Sequence, residues 1–379
     1  MKKDKNDIEN TDDANKIFPP VLEKISSDAT ALIKQLIATP SFSKEENATA
    51  DIIAEFLTQR DIIVNRNLNN VWAVNKYFDK NKFTILLNSH HDTVKPNKAY
   101  RLDPFIPIEK EGRLYGLGSN DAGGPLVSLI SVFVHFYFLE NLPFNLIIAA
   151  TAEEEISGHN GVEYLLPLLP AIDCGIVGEP TLMKMAVAEK GLFVLDCVAK
   201  GVAGHAARNE GLNAIYIAMK DIEWLSNYSF DKVSQLLGPV HIAVTSIETA
   251  NKTHNIVPSE CSFIVDIRVN ELYTFEEMLT CIRQNVKAEV TPRSTRLRPS
   301  FIEANHPLVM SGNKLGLSSY GSPTCSDKAL MPFPTLKIGP GDSARSHSAD
   351  EYIFVDEIKE GIEKYIQLLE NLRQIILPV

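Results

Sequence analysis

Phe83-Thr-Ile-Leu-Leu-Asn-Ser-His-His-Asp-Thr-Val94 runs from an unbroken apolar stretch, residues 83–87, into a His-x-Asp triplet, His90 and Asp92. A short continuous apolar run suits a strand in a parallel sheet, where crossover helices cover both faces. In open α/β sheets, ligand-binding residues sit just past the carboxyl ends of such strands. The stretch therefore predicts an α/β fold with its chemistry at strand ends. Taken alone, the triplet reads equally as a turn histidine beside a capping aspartate.

Working outward, comparable strand-like runs occur at 71–75, 145–150, 174–177 and 335–338. Helical spacing appears at 29–37 and 49–59, the latter preceded by Ser41-Phe-Ser-Lys-Glu-Glu46 as a helix entry. Such alternation is the mark of a sheet with crossover helices. From 190 to about 293 the pattern changes. Gly191-Leu-Phe-Val-Leu-Asp-Cys-Val-Ala199 and Cys261-Ser-Phe-Ile-Val-Asp-Ile-Arg-Val269 alternate apolar with polar residues, as antiparallel strands with one wet face require. Thr291-Pro-Arg-Ser-Thr-Arg-Leu-Arg-Pro299 then leads back to the first domain. A chain of 379 residues also exceeds the ~250–300 at which single cores stop growing. The expected organisation is a polar, disordered tail at 1–18, one domain formed by 19–188 and 295–379, and an inserted domain at 189–294.

With 37 Lys plus Arg against 48 Asp plus Glu, the net charge is −11, which argues against nucleic acid or an anionic membrane as partner. The five cysteines are scattered without a Cys-x-x-Cys pair and read as reduced thiols of a cytoplasmic protein. The amino-terminal Met1-Lys-Lys-Asp-Lys-Asn-Asp-Ile8 lacks the apolar core of a secretory leader. Residues 122–139 carry no Lys, Arg, Asp or Glu, close to the minimum for a bilayer span. They follow Asp121 and include Ser128, Ser131 and His135 with no basic flank, so a buried helix is expected.

Four further sites carry Asp, Glu or His where a metal could collect them. Tyr115-Gly-Leu-Gly-Ser-Asn-Asp-Ala-Gly-Gly124 places Asp121 at a helix start, where a simple cap is the alternative. Thr151-Ala-Glu-Glu-Glu-Ile-Ser-Gly158 sets three carboxylates after a buried strand, and a cation is the simplest way to keep them ionised. Glu179 follows the strand at 174–177, and His347 lies in the loop after 335–338. Each alone is a turn or cap residue; together they are hard to assign to chance.

At these five blocks the sequence resembles the M20 family of dinuclear-zinc peptidases and deacylases, in family order, and within it most resembles the acetylornithine deacetylase branch. The resemblance implies a mixed-sheet, zinc-peptidase-like catalytic domain with an inserted α+β lid and dimerisation domain. It implies that His90 and Glu179 bind one metal, Glu155 and His347 the other, and Asp121 both. Asp92 would orient His90 from behind. Glu154 would be the general base and His205 a donor to the tetrahedral oxyanion. Asn255 and Arg268 would grip a substrate carboxylate. The expected cofactor is Zn²⁺, with Co²⁺ or Mn²⁺ as substitutes. The expected reaction is hydrolysis of an N-acyl amino acid by a homodimer, N-acetyl-L-ornithine first, as in arginine biosynthesis. N-succinylornithine, N-acetylcitrulline, dipeptides and a non-catalytic metal-binding role are the alternatives. Two details depart from the family pattern: Ala122-Gly-Gly-Pro125 replaces Met-Lys-Gly after the bridging Asp, and Ser89-His-His-Asp92 replaces Gly-His-x-Asp. His91 thus competes with His90, though spacing to Asp92 favours His90.

Overall fold

The computed structural model describes residues 19–208 and 210–376, so the expected tail at 1–18 lies outside the described residues. The chain divides into two compact units. One comprises the described residues up to Met185, Glu303–Ser319, and the described residues from Phe333 onward; the other comprises Ala186–Ile302 and Tyr320–Pro332. The inserted unit is therefore broader than 189–294 and takes in a second segment of chain.

In the first unit, strands β1 (Asn65–Asn67), β2 (Asn70–Val74), β3 (Phe83–His90), β4 (Phe144–Thr151) and β5 (Cys174–Val177) lie in the order β1-β2-β4-β3-β5, followed by Thr335–Lys337. β3 runs parallel to both neighbours, and Thr335–Lys337 runs parallel to β5, whereas β2 is antiparallel to β4. The central position of β3 explains its apolar run, since it is buried from Thr84 to His90. Register decides the rest. His90 pairs with Thr151 and Asn88 with Val177, so the segments after β4 and β5 emerge level with the end of β3.

Helices α1 (Pro19–Ile37), α2 (Asn47–Thr58) and α3 (Gly124–Phe136), with the C-terminal helix Val355–Ile376, belong to this unit. α3 is the charge-free stretch, and it packs against α1, the C-terminal helix and β3. Leu129, Ile130 and Phe133 on it are fully buried, each worth about 1.5–3 kcal/mol relative to exposure. Among the described residues, no helix is long and apolar enough to cross a membrane. α1 starts ten residues before the predicted 29–37. Its first turn opens on Pro19-Pro20, which suits a helix start, and within the polar Ser-Ser-Asp patch Ser26 turns its hydroxyl inward to the Leu22 carbonyl.

The second unit carries an antiparallel sheet of β6 (Gly191–Lys200), β7 (His241–Glu248), β8 (Glu260–Val269) and β9 (Glu289–Pro292), in the order β7-β8-β6-β9. β6 and β8 alternate buried and half-buried residues along their lengths. The buried face joins residues of helices α4 (Ala214–Asn227) and α5 (Phe275–Asn285) in one core, with Phe193 stacked on Phe275 at 4.4 Å. A capping box between Thr274 and Glu277 starts α5.

Candidate metal centre

The level ends of β3, β4 and β5 bring His90, the turn bearing Glu154 and Glu155, and Glu179 into one cluster. Asp121 enters from the turn before α3, and His347 from the loop after Thr335–Lys337. The two oxygens of Asp121 face different histidines: Oδ1 lies 3.4 Å from His90 Nε2, and Oδ2 lies 3.6 Å from His347 Nε2. Glu155 Oε2 is 3.1 Å from His347 Nε2, while Glu179 Oε1 is 3.8 Å and Glu154 Oε2 4.0 Å from His90 Nε2. Donor atoms of His90, Asp121 and Glu155 lie within 4.8 Å of one another, as do those of His90, Glu154 and Glu179.

These spacings fit a metal pair. Two donors each ~2.1 Å from one tetrahedral zinc lie about 3.4 Å apart. The set is imidazole and carboxylate without a thiolate, which suits Zn²⁺, Co²⁺ or Mn²⁺. Four carboxylates around two imidazoles also leave an excess of negative charge for cations to neutralise.

Buried carboxylates behind the cluster hold its backbone. Asp92 accepts the Glu154 and Glu155 N–H groups at 3.1 and 3.2 Å and the Ser43 hydroxyl at 2.7 Å. His90 Nδ1 is 3.0 Å from the Asp92 carbonyl and 3.4 Å from its carboxylate, so both ends of Asp92 steer the ring and leave Nε2 facing the site. Burial opposes the Asp92 charge, but His90 and Ser43 outweigh it and keep its pKa below the ordinary carboxylate range.

His91 points elsewhere. Its Nδ1 meets Thr49 Oγ1 and its Nε2 the Asn69 carbonyl, both at 2.9 Å. Burial pushes its pKa down to about 4, so it is a neutral structural histidine, and both ring nitrogens are engaged.

Glu351 escaped the sequence reading. It is buried, and its carboxylate accepts the N–H groups of Gly118, Asn120 and Asp121 at 3.3, 2.8 and 2.9 Å. Burial, with the Asp121 charge nearby, pushes its pKa up to about 8 against those donors. Only its place four residues after His347, in Ser346-His-Ser-Ala-Asp-Glu351, could have signalled it. Asn120 clamps the same two segments, exchanging hydrogen bonds with both main-chain groups of Asp342 at 3.0 Å. Gly341 must be glycine for this: its φ is +88°, and a Cβ would stand 2.5 Å from Asn120 Oδ1. Tyr365 of the C-terminal helix donates to the Ile338 carbonyl and anchors the other end of that loop.

The carboxylates hold protons on the imidazoles. Glu155, then Asp121, raise His347 from 6.5 to about 9, while burial pulls against them. Burial is the largest influence on His90 and lowers its pKa, yet Asp121, Asp92, Glu154 and Glu179 together hold it well above normal. A metal must displace these protons. Zn²⁺ affinity measured by calorimetry should therefore rise with pH through the range up to about 9, with proton release on binding. A flat profile below pH 9 would contradict this. In the metal-free protein the sign is opposite: a raised folded pKa contributes stability that is complete below 6.5 and lost as pH rises through about 9. Glu351 acts in the same direction between the ordinary glutamate value of 4.5 and about 8. The metal-free melting temperature should fall across this range.

The second unit holds the remaining sequence candidates. His205 pairs with Ile256, and the Ala206 N–H donates to the Asn255 carbonyl at 3.0 Å, so His205 and Asn255 sit together. His205 Nδ1 accepts the Ala207 N–H at 3.2 Å, which leaves the ring proton on Nε2. Arg268 lies on β8 with its Nε and Nη2 bound by Asp266 at 2.8 and 3.0 Å.

The profile of peptidase family M20/M25/M40 matches residues 86–371. A succinyl-diaminopimelate desuccinylase from Buchnera aphidicola subsp. Cinara cedri (strain Cc) is 28% identical over 381 residues, covering 90% of this chain and 98% of that protein. Succinyl-diaminopimelate desuccinylase 2 of Ruegeria sp. (strain TM1040) is 25% identical over 293 residues, 72% of this chain and 73% of its own. In fold, a tripeptidase from Staphylococcus aureus superposes with a TM-score of 0.75 at 20% identity, covering 92% of this chain and 99% of that one. The match takes in every one of the clustered acidic and histidine residues, from the end of β3 to the loop of His347, and this chain belongs to peptidase family M20, the metal-dependent amidohydrolases.

Proposed function

We propose that this protein hydrolyses the amide bond of an N-acyl amino acid at a pair of divalent cations, Zn²⁺ in the first place. The observation that carries this is Asp121, whose two oxygens face two histidines of different segments. His90 and Glu179 would hold one ion, His347 and Glu155 the other, and Asp121 both. Such a pair, when bound, polarises the scissile carbonyl and lowers the pKa of a water towards ~7. Glu154 takes the proton of the attacking water and passes it to the departing amine. Its backbone N–H is fixed on Asp92, so the carboxylate has a defined aim. His205, with its proton on Nε2, donates to the developing oxyanion. Asn255 and Arg268 take the substrate's carboxylate, and Asp266 pre-orients the Arg268 fork.

The acyl group that the relatives favour is succinyl. N-acetyl-L-ornithine is the second reading, resting on the resemblance of Asn88-Ser-His-His-Asp-Thr-Val-Lys-Pro96 and Leu117-Gly-Ser-Asn-Asp-Ala-Gly-Gly124 to the acetylornithine deacetylase branch. A homodimer formed through the inserted unit belongs to the same proposal, and exposed Val202, Leu212, Tyr216 and Met219 supply apolar surface there. The test is a panel of N-succinyl-L,L-diaminopimelate, N-acetyl-L-ornithine, N-succinyl-L-ornithine, N-acetyl-L-citrulline and dipeptides, with metal analysis of the same preparation. We expect chelator-sensitive hydrolysis, fastest with a succinylated substrate. A zinc-loaded protein that cleaves none of them would refute an enzymatic role on these substrates.

A further inference from the structure

The helix entry at 41–46 does more than start α2. Glu46 is fully buried at the N-terminus of that helix, yet its side chain makes no capping bond to it. Its Oε1 instead accepts the N–H groups of Lys44 at 2.5 Å and Glu153 at 3.3 Å, and its Oε2 accepts Asn69 Nδ2 at 2.8 Å. Asn69 in turn receives His91 through its carbonyl, and His91 meets Thr49 of α2. The same entry supplies Ser43, whose hydroxyl binds Asp92. Consecutive N–H groups of Glu153, Glu154 and Glu155 are thus held by two buried carboxylates, Glu46 for the first and Asp92 for the next two. Glu153 needs the restraint, for it sits at φ 57° in the left-handed region that non-glycine residues avoid. Asn160 Nδ2 holds its side chain from the other side at 2.9 Å.

We propose that Glu46 is a positioning residue for this reaction: by fixing the Glu153 N–H it sets the turn that aims Glu154 and Glu155 into the metal centre. The inference rests on the roles proposed above for those two residues. A helix cap or a space-filling core residue would leave the aim of the turn untouched. A displacement of about 1 Å in a catalytic group can cost ~10²-fold in rate, so the turn needs little freedom to fail.

The experiment compares Glu46→Ala, Glu46→Gln and Glu46→Asp with Glu154→Gln in the full-length, zinc-loaded protein. The readouts are circular dichroism for folding, Zn²⁺ titration calorimetry, and kcat and KM on the fastest substrate of the panel. Glu46→Ala should lower kcat about 10–100-fold with little change in KM. It should also weaken one Zn²⁺ by about 10–100-fold, the loss typical when a group behind a ligand is removed. Glu46→Gln should retain most of both, because its Oε1 still reaches the two N–H groups and the Asn69 amide can turn to match its Nε2. Glu46→Asp, which keeps the charge but loses reach, should be worse than Gln; this ranking decides the matter if the Ala variant does not fold. Wild-type kcat and Zn²⁺ binding in Glu46→Ala, or a Gln variant no better than Asp, overturns the proposal. An active Glu154→Gln would instead overturn the assignment of the base.

Discussion

Replacing Glu154 by Gln should leave a folded protein that still binds its metals but whose kcat falls by about 10²–10⁴-fold, the range ascribed to a positioned general base. The amide keeps the shape of the carboxylate and cannot take up a proton. Its place in the cluster explains why metal binding should survive. Glu154 Oε2 stands 4.0 Å from His90 Nε2, farther than the 3.4 and 3.8 Å of Asp121 and Glu179 to the same nitrogen. KM should change little, because no substrate-gripping group is removed. Steady-state kinetics on the panel substrate, with zinc counted in the same sample, make the check. A rate within twofold of wild type would remove Glu154 from the chemistry.

Asp121→Asn should be the most damaging conservative change to metal binding. A carboxylate offers an acceptor to each histidine-bearing half of the site, whereas an amide offers one acceptor and one donor. Whichever way the amide turns, an NH₂ group faces either the His90 side or the His347 side. Substitutions behind the ligands of metal sites typically cost about 10–100-fold in affinity, and loss of a shared ligand should exceed that for at least one ion. Hydrolysis should fall at least as far as in Glu154→Gln, and added Zn²⁺ should not restore it. Calorimetry showing two zinc sites of wild-type affinity would exclude a bridging role. The variant also tests the electrostatics, since Asp121 helps raise His347 to about 9 and His347 should titrate lower without it.

Much of this centre was legible in the sequence because its parts are local. A buried strand announces itself by its apolar run, and the predicted 83–87, 145–150 and 174–177 lie within the observed β3, β4 and β5. His90 closes its strand, and Glu154, Glu155 and Glu179 follow theirs within a few residues, so locating the strands also locates these candidates. Spacing alone ranked His90 above His91, and the structure supplies the reason in Thr49 and Asn69. What stayed hidden is long-range. Glu351 and Glu46 act through backbone N–H groups far along the chain, and main-chain donors leave no mark in the amino-acid order. The extent of the inserted unit was hidden for a similar reason, because Tyr320–Pro332 joins it through tertiary packing and carries no compositional signal.

The parallel pairing of Thr335–Lys337 on β5 carries a consequence in time. During synthesis the segments that carry His90, Asp121, Glu154, Glu155 and Glu179 leave the ribosome before any residue of the second unit. His347 follows only after that unit has been made. A nascent chain therefore carries a crowd of carboxylates with a single histidine among them, and nothing to close its second half. Thr335–Lys337 is the last strand of the large sheet in chain order, and the loop after it carries the last of the proposed ligands, so the proposed centre cannot be complete before residues 335–347 emerge.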